Sequence, residues 1–286
     1  MTFIVVNMKT KILWVVFISV SIVACGYIPV RTPFTLSDDS YDKDANINDS
    51  IRILNWNIHK EGNLSEWKKE ITHIVKDKEP HFILLQEVRL DGKVGDFISK
   101  DLKYGWEFSP NLYQGKYDAY SGVLTASHIK PKMVESALSS GTELFSKIRK
   151  TVLFTKYPIG SPYLELLVVN IHGININIDL DGFKGQMRYI AEVVMRHDGP
   201  VILAGDFNTW REARLDHLSK LVKEMELVKI DFGSNADYVE TMFGNPLDHI
   251  FISKEKLEVI KGSQEVIMDI KSSDHSPLFV ALRIRR

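Results

Sequence analysis

The sequence predicts an α/β fold in which two packed, mixed β-sheets are covered on the outside by helices. Three observations carry this reading. Strand, helix and strand patterns succeed one another over residues 51–88, and helix, strand and helix patterns do so again from about 185 to 225. Between them, four strand-like stretches are separated by glycine and proline turns and by no helix, which points to antiparallel pairing. At 286 residues, 44% hydrophobic and 26% charged, the chain has material for one large core. The formal net charge of -1 gives no sign of a general polyanion binder, although a local basic patch is compatible with a neutral sum.

Lys9 and Lys11 precede an uncharged run from Ile12 to Ala24, the layout of a secretory signal. The run ends Ile22-Val23-Ala24-Cys25, which resembles the lipobox of bacterial lipoproteins, cleaved before the cysteine and lipidated on it. The expectation is a signal peptide over 1–24, with Met8 a tidier start than Met1, a lipid on Cys25, and the remainder held outside the cytoplasm at the bacterial cell envelope. The alternative is an uncleaved membrane anchor, because apolar character resumes from Tyr27 to Val30 and lengthens the span. Cys25 is the single cysteine, which excludes an intramolecular disulfide and a multi-cysteine zinc site. Residues 25–50 read as a flexible acidic tether, with Asp38, Asp39, Asp42, Asp44 and Asp49 and few apolar residues. An EF-hand over Asp42 to Ile53 is rejected, since Ile47 stands where that loop needs glycine and Ile53 where it needs glutamate.

A single catalytic domain, 51–286, is expected to begin with the strand Ile51 to Ile58. Ser65 then caps a helix whose apolar stripe is Trp67, Ile71, Ile74 and Val75, and His81 to Val88 forms the next strand. Further strands fall near 104–108, 121–129, 150–156 and 164–174, and a helix over 185–196 carries Met187, Ile190, Ala191 and Val194. The buried strand from Val201 stops at Gly205 and presents Asp206 and Asn208, set two apart and able to hold a phosphate or a water between them. Thr209 and Glu212 have capping-box spacing before a helix marked by Leu215, Leu218, Leu221, Val222 and Met225. Two last strands follow at 248–253 and 277–284.

Six of these strands carry a polar group at one end. Asn57, Glu87, His172 and Asp206 follow theirs, whereas Asp248 and the pair Asp274-His275 precede theirs. If the last two strands run antiparallel to the others, all six ends meet at one edge, which is how a site is assembled on a sheet. A lone Asp or Asn is most often a turn former, but six such coincidences are hard to reconcile with that.

The pieces Trp56-Asn57, Leu85-Gln86-Glu87, Asn170-Ile171-His172, Gly205-Asp206-Phe207-Asn208, Leu247-Asp248 and Ser273-Asp274-His275-Ser276-Pro277 resemble, in their order, the endonuclease/exonuclease/phosphatase superfamily, over about residues 51–284. More narrowly the chain resembles an uncharacterised bacterial branch of it. The resemblance implies a four-layer, DNase I-like sandwich and a hydrolase that cleaves a phosphate ester with magnesium or manganese. Glu87, Asn57 and Asp274 would hold the metal, and their oxygens suit a hard cation. His275 would be the general acid/base, with Asp248 fixing its tautomer. His172, by resemblance to nuclease and sphingomyelinase members, would donate to the phosphate or leaving group, while Asp206 and Asn208 orient the attacking water. Lys60 is a candidate phosphate contact.

Recognition is where the sequence departs from its relatives: it has no counterpart of the long DNA-gripping loops or of extended lipid-binding insertions. Arg211, Arg214 and the cluster Lys147, Arg149 and Lys150 read equally as a polyphosphate grip or as solvated faces. The expected substrate is a phosphodiester in a nucleic acid or a lipid headgroup, with a phosphomonoester as the alternative and a monomer as the assembly. A silent binding lipoprotein is the reading of another class, and the full set of acids and histidines argues against it.

Overall fold

Strands whose two faces are both apolar can be buried only between layers, and here they close into two sheets stacked face to face. The structure is a computed structural model describing residues 26–42, 45, 47, 50–61, 64–144, 146–160, 163, 165–175, 180–233, 239, 241–242 and 244–285. The expected signal and Cys25 lie outside these residues. Among the described residues no helix is long and apolar enough to cross a membrane.

In chain order the strands are β1 (Tyr27–Pro29), β2 (Leu36–Asp38), β3 (Ser50–Asn57), β4 (Phe82–Leu90), β5 (Gly105–Gln114), β6 (Ala119–Ser127), β7 (Met133–Leu138), β8 (Thr151–Pro158), β9 (Glu165–His172), β10 (Val201–Asp206) and β11 (Leu227–Lys229). They continue with β12 (Thr241–Met242), β13 (Asn245–Pro246), β14 (Asp248–Ser253), β15 (Leu257–Val259), β16 (Glu265–Val266) and β17 (Leu278–Ile284). The long helices are α1 (Leu64–Lys78), α2 (Asp181–Met195) and α3 (Glu212–Glu224). One sheet runs β1-β5-β6-β4-β3-β17-β15, with β2 on β5 and β16 on β17; the other runs β11-β14-β10-β9-β8-β7.

Parallel neighbours need a crossover, and the helices supply it: α1 joins β3 to its parallel partner β4, and α2 joins β9 to β10. By contrast β17 is antiparallel to β3, and β14 is antiparallel to β10. The C-terminal ends of β3, β4, β9 and β10 and the N-terminal ends of β14 and β17 therefore share one edge, as the order of polar and apolar residues requires.

Alternation with period two sorts the side chains into layers. Ile51, Ile53, Phe82 and Leu84 of one sheet meet Val168, Ile202, Ala204, Ile250 and Ile252 of the other in a central core. On the outer faces, Leu54, Trp56, Ile83 and Leu85 pack on Trp67, Ile71 and Ile74 of α1. Leu167, Val169, Leu203 and Phe251 pack with Phe183, Met187 and Ile190 of α2 and with Leu218 and Leu221 of α3. Helix, sheet, sheet and helix are the four layers expected.

Three local expectations need correction. Ser65 lies inside α1, which already begins at Leu64, so it is no cap. Thr209 does not cap α3 either: the residue before that helix is Arg211, and the Thr209 hydroxyl is committed to the Pro246 carbonyl and to His249 Nε2 at 2.7 Å. The tether is not free where it is described. Tyr27–Pro29 and Leu36–Asp38 add strands to β5, the Tyr41 hydroxyl donates to Glu107 at 2.9 Å, and Ile47 is buried in the central core. An acidic segment with few apolar residues docks here because the exposed ladder of β5 satisfies its backbone.

Gly205 is placed by close approach. Its φ is +146°, and a Cβ there would meet the Ile171 carbonyl oxygen at 2.0 Å, whereas a Cβ on Gly160 would meet nothing within 4 Å. Gly205→Ala is expected to cost at least about 2 kcal/mol in denaturant unfolding, against less than about 0.5 kcal/mol for Gly160→Ala. Equal losses at the two positions would contradict the packing described.

Candidate active site

Along the inner faces the side chains change from apolar to polar as the strands approach the shared edge. The first polar layer is an amide network buried between the sheets. Gln86 donates from Nε2 to Asn55 Oδ1 at 2.9 Å and, across the gap, to Asn170 Oδ1 at 2.8 Å. Asn170 Nδ2 returns bonds to the Leu124 carbonyl at 2.9 Å and the Leu85 carbonyl at 3.3 Å. These residues fix the height at which the next ones on each strand meet.

Those next residues are the candidates. Glu87 sits in a break of register between Leu85 and Val88, with φ at +54°, a conformation uncommon outside glycine that turns its carboxylate off the ladder. Its Oε2 is ion-paired with the Lys60 ammonium, and its Oε1 lies 3.7 Å from His172 Nε2. His172 Nε2 is also 3.6 Å from Asp206 Oδ2, so it stands between the two carboxylates. Burial alone would raise the Glu87 carboxyl, but Lys60 and, behind it, Lys150 hold it well below the usual range. For His172 burial comes first and Lys150 adds to it, so the ring is held neutral, well below its ordinary value.

Lys150 Nζ lies 3.3 Å from His172 Nε2 and 3.3 Å from Glu143 Oε1. An ammonium has no lone pair, so Nε2 is the acceptor and the ring proton belongs on Nδ1. In this arrangement the His172 nitrogen facing the site accepts from Lys150. Of the basic cluster read in the sequence, Lys150 is the member brought to the site.

On the other flank, Asn57 Nδ2 donates to Asp206 Oδ2 at 3.0 Å, and the backbone N–H of Asn208 donates to Asp206 Oδ1 at 2.8 Å. Asn208, at φ +52°, sends an amide hydrogen to the Gly173 carbonyl at 3.0 Å, which ties the β9 and β10 ends together. Asp206 pairs with Asp248 across the ladder. Asp248 Oδ2 accepts from His275 Nδ1 at 2.6 Å, the expected dyad, with both side chains almost fully buried. Burial would push His275 down, but Asp248, then Asp206 and Asp274, push it up to about 10. Asp206 is itself pushed up to about 7 by burial first and by Asp248 second, against His275 and its hydrogen bonds.

The segment carrying His275 is stitched to β3. Trp56 Nε1 donates to the His275 carbonyl at 2.9 Å, and Ser273 Oγ donates to the Asn57 carbonyl at 2.6 Å. Arg214 does not reach into solvent or toward a phosphate. It is fully buried, and its guanidinium donates to the carbonyls of Ile174, Asn208 and Asn175, at 2.9 Å for Asn208 and 2.8 Å for Asn175. Its role is to clamp the loops after β9 and β10.

Two of the three expected metal ligands line the site. Glu87 and Asn57 do so, but Asp274 is more than half exposed and faces His59, with Oδ1 3.3 Å from Nδ1. Among the described residues no three Asp, Glu, His or Cys side chains stand close enough to hold a metal by themselves. The donors still fit a hard cation in kind. The Glu87 carboxylate is held ionised and already carries an ammonium on one oxygen, and Asn57 Oδ1 is an amide oxygen that accepts from the backbone N–H of His59 at 3.0 Å.

Residues 54–275 match the family model described as the Endonuclease/Exonuclease/phosphatase family. Solved structures share the fold at low identity. An endonuclease/exonuclease/phosphatase from Beutenbergia cavernae DSM 12333 has 17% identity and a TM-score of 0.64, covering 83% of this chain and 72% of its own. The human Nocturnin catalytic domain with bound sulfate anion has 17% identity and a TM-score of 0.63, covering 92% and 99%. D. rerio TDP2 complexed with single strand DNA product has 15% identity and a TM-score of 0.62, covering 82% and 100%.

The His275–Asp248 pair generates a pH prediction. Because the folded-state pKa of His275 is raised to about 10 from an ordinary 6.5, its stabilising contribution is full below 6.5 and is lost as pH rises through 10. In an NMR titration His275 is expected to remain an imidazolium at pH 8 and, in Asp248→Asn, to titrate below 7, since burial then dominates. Titration near 6.5 in both proteins would contradict the pairing.

Proposed function

The chain belongs to the endonuclease/exonuclease/phosphatase family, and we propose that its site hydrolyses phosphodiester bonds with the help of magnesium or manganese. Members of the family are hydrolases of phosphate esters. The observation that carries the reading is the gathering of Asn57, Glu87, His172, Asp206 and the Asp248–His275 dyad at one edge from six separate strand ends.

The residues divide the work by charge. Lys60 and Lys150, on the Glu87 flank, offset the negative charge of a phosphate and of the oxygen that leaves it. Asp206, near neutrality, accepts the proton of the attacking water, and the Asn208 N–H and Asn57 amide hold its two oxygens in place. His275, charged at neutral pH and aligned by Asp248, donates to a non-bridging oxygen as negative charge develops there. Glu87 and Asn57 would hold the divalent cation, with Asp274 the remaining candidate. When bound, such a cation acts as a Lewis acid toward a phosphoryl oxygen. Lys60, ion-paired with Glu87, would compete with such a cation for that carboxylate.

The substrate class proposed is a phosphodiester of a nucleic acid or a lipid headgroup. Nocturnin with a bound sulfate anion and TDP2 with a single-strand DNA product share the fold, which supports an oxyanion-bearing substrate.

Turnover of bis-p-nitrophenyl phosphate is expected to need added magnesium or manganese and to stop with chelator. Glu87→Gln should raise the metal concentration for half-maximal rate on the order of 10-fold or more. Lys60→Met should lower it, because a competing cation is gone. Full turnover by a metal-stripped sample would overturn the metal requirement.

A further inference from the structure

The N-terminal segment joins the fold at an informative place. β1 pairs with the far end of β5, with Tyr27 opposite Gln114, and the Gly115 N–H donates to the Gly26 carbonyl at 3.0 Å. The β5–β6 turn, residues 115–118, therefore lies beside the point where the chain enters the domain. That turn is on the catalytic edge. β6 runs antiparallel to β4 with Tyr120 opposite Leu90, so the pair Gln114 and Ala119 stands one residue beyond Leu90, about 13 Å past Glu87 at about 3.3 Å per residue.

What precedes Gly26 is the uncharged run Ile12–Ala24 and then Cys25. With a lipid on Cys25 the attachment is one residue from Gly26; an anchor continued through Tyr27–Val30 is incompatible with Tyr27–Pro29 lying in the sheet as β1. One residue spans at most about 3.6 Å, too little to carry the domain round to its opposite edge.

The surface at this entry suits an interface. Ile28 is 59% exposed and Tyr117 43% exposed. The Arg89 guanidinium lies 4.3 Å and the Lys116 ammonium 5.2 Å from the Tyr117 ring centroid. An exposed aromatic ring with cations on its face matches the headgroup boundary of a membrane, where anionic lipids attract the cations, and the adjoining strand β1 adds the exposed aliphatic Ile28. The opposite edge, at the end of β14, presents the charged turn Lys254, Glu255 and Lys256.

We propose that β1 and the β5–β6 turn form a membrane-contact rim that turns the catalytic edge toward a lipid surface. The substrate it would then meet is a phosphate ester presented at that surface, a deepening that rests on the phosphodiesterase reading.

The test uses the full chain, with its N-terminal region intact, in vesicles of phosphatidylethanolamine and phosphatidylglycerol. An environment-sensitive dye is placed at Lys116→Cys or at Lys254→Cys, both exposed, with the unsubstituted protein as labelling blank. The Lys116 label is expected to be quenched several-fold more by brominated lipid than the Lys254 label and to be shielded from aqueous iodide. Equal or reversed quenching, or failure of the protein to enter the vesicle fraction, overturns the rim. Turnover of bis-p-nitrophenyl phosphate by the same vesicles is read in parallel. Its loss with the quenching pattern intact overturns the phosphodiesterase reading, and with it the lipid-borne substrate, while the rim stands.

Discussion

The site depends first on one hydrogen bond across the gap between the sheets, from Gln86 Nε2 to Asn170 Oδ1 at 2.8 Å. Apolar side chains pack two sheets together but tolerate sliding, because dispersion has no direction. A buried amide pair does not, since a slip of one residue leaves donors and acceptors unpaired away from water, at about 1–3 kcal/mol each. With that pair made, the residue after Gln86 and the second residue after Asn170 meet: Glu87 faces His172 at 3.7 Å. Asp206 reaches the same point because β10 is parallel to β9 with Asp206 opposite His172, and Asp248 because β14 is opposite β10.

Charge within this edge is arranged in two flanks. On one, Lys60 and Lys150 keep Glu87 ionised and His172 neutral; on the other, three carboxylates act on His275 and keep it charged. Asp206 lies between and is held near neutrality because burial and Asp248 oppose the charge that His275 favours. The result, within one polar patch, is a charged histidine, a carboxyl raised to about 7 and a flank of two ammonium groups, each set by its neighbours rather than by residue type.

Much of this was legible in the chain because it depends on local order. A run of apolar residues ending in a polar one announces a strand that leaves the core at a shared polar edge, and whether the polar residue precedes or follows the run reveals strand direction. Asn57, Glu87, His172, Asp206, Asp248 and His275 were found in that way. Asp274 shares the motif, but its side chain turns to His59. Lys150 read equally as a phosphate grip or a solvated residue among its basic neighbours, and only the β8–β9 register, with Lys150 just before β8, sets it beside His172. Arg214 looked like a surface cation because nothing in sequence shows that three backbone carbonyls await its guanidinium. Segment 26–42 looked free for the opposite reason: its partners are backbone groups of β5, which leave no side-chain signature.

The account stands on Asp248 and His275 acting as one unit within the edge that the two sheets build. The measurement that bears on it most directly is a double-mutant cycle on phosphodiester turnover with Asp248→Asn and His275→Ala, alongside metal titrations of each variant. His275→Ala is expected to lose on the order of 10²- to 10⁴-fold in rate, and the double variant little more, with metal affinity near normal in all three. Losses that multiply as independent factors would contradict the dyad, and with it the division of labour assigned to the site.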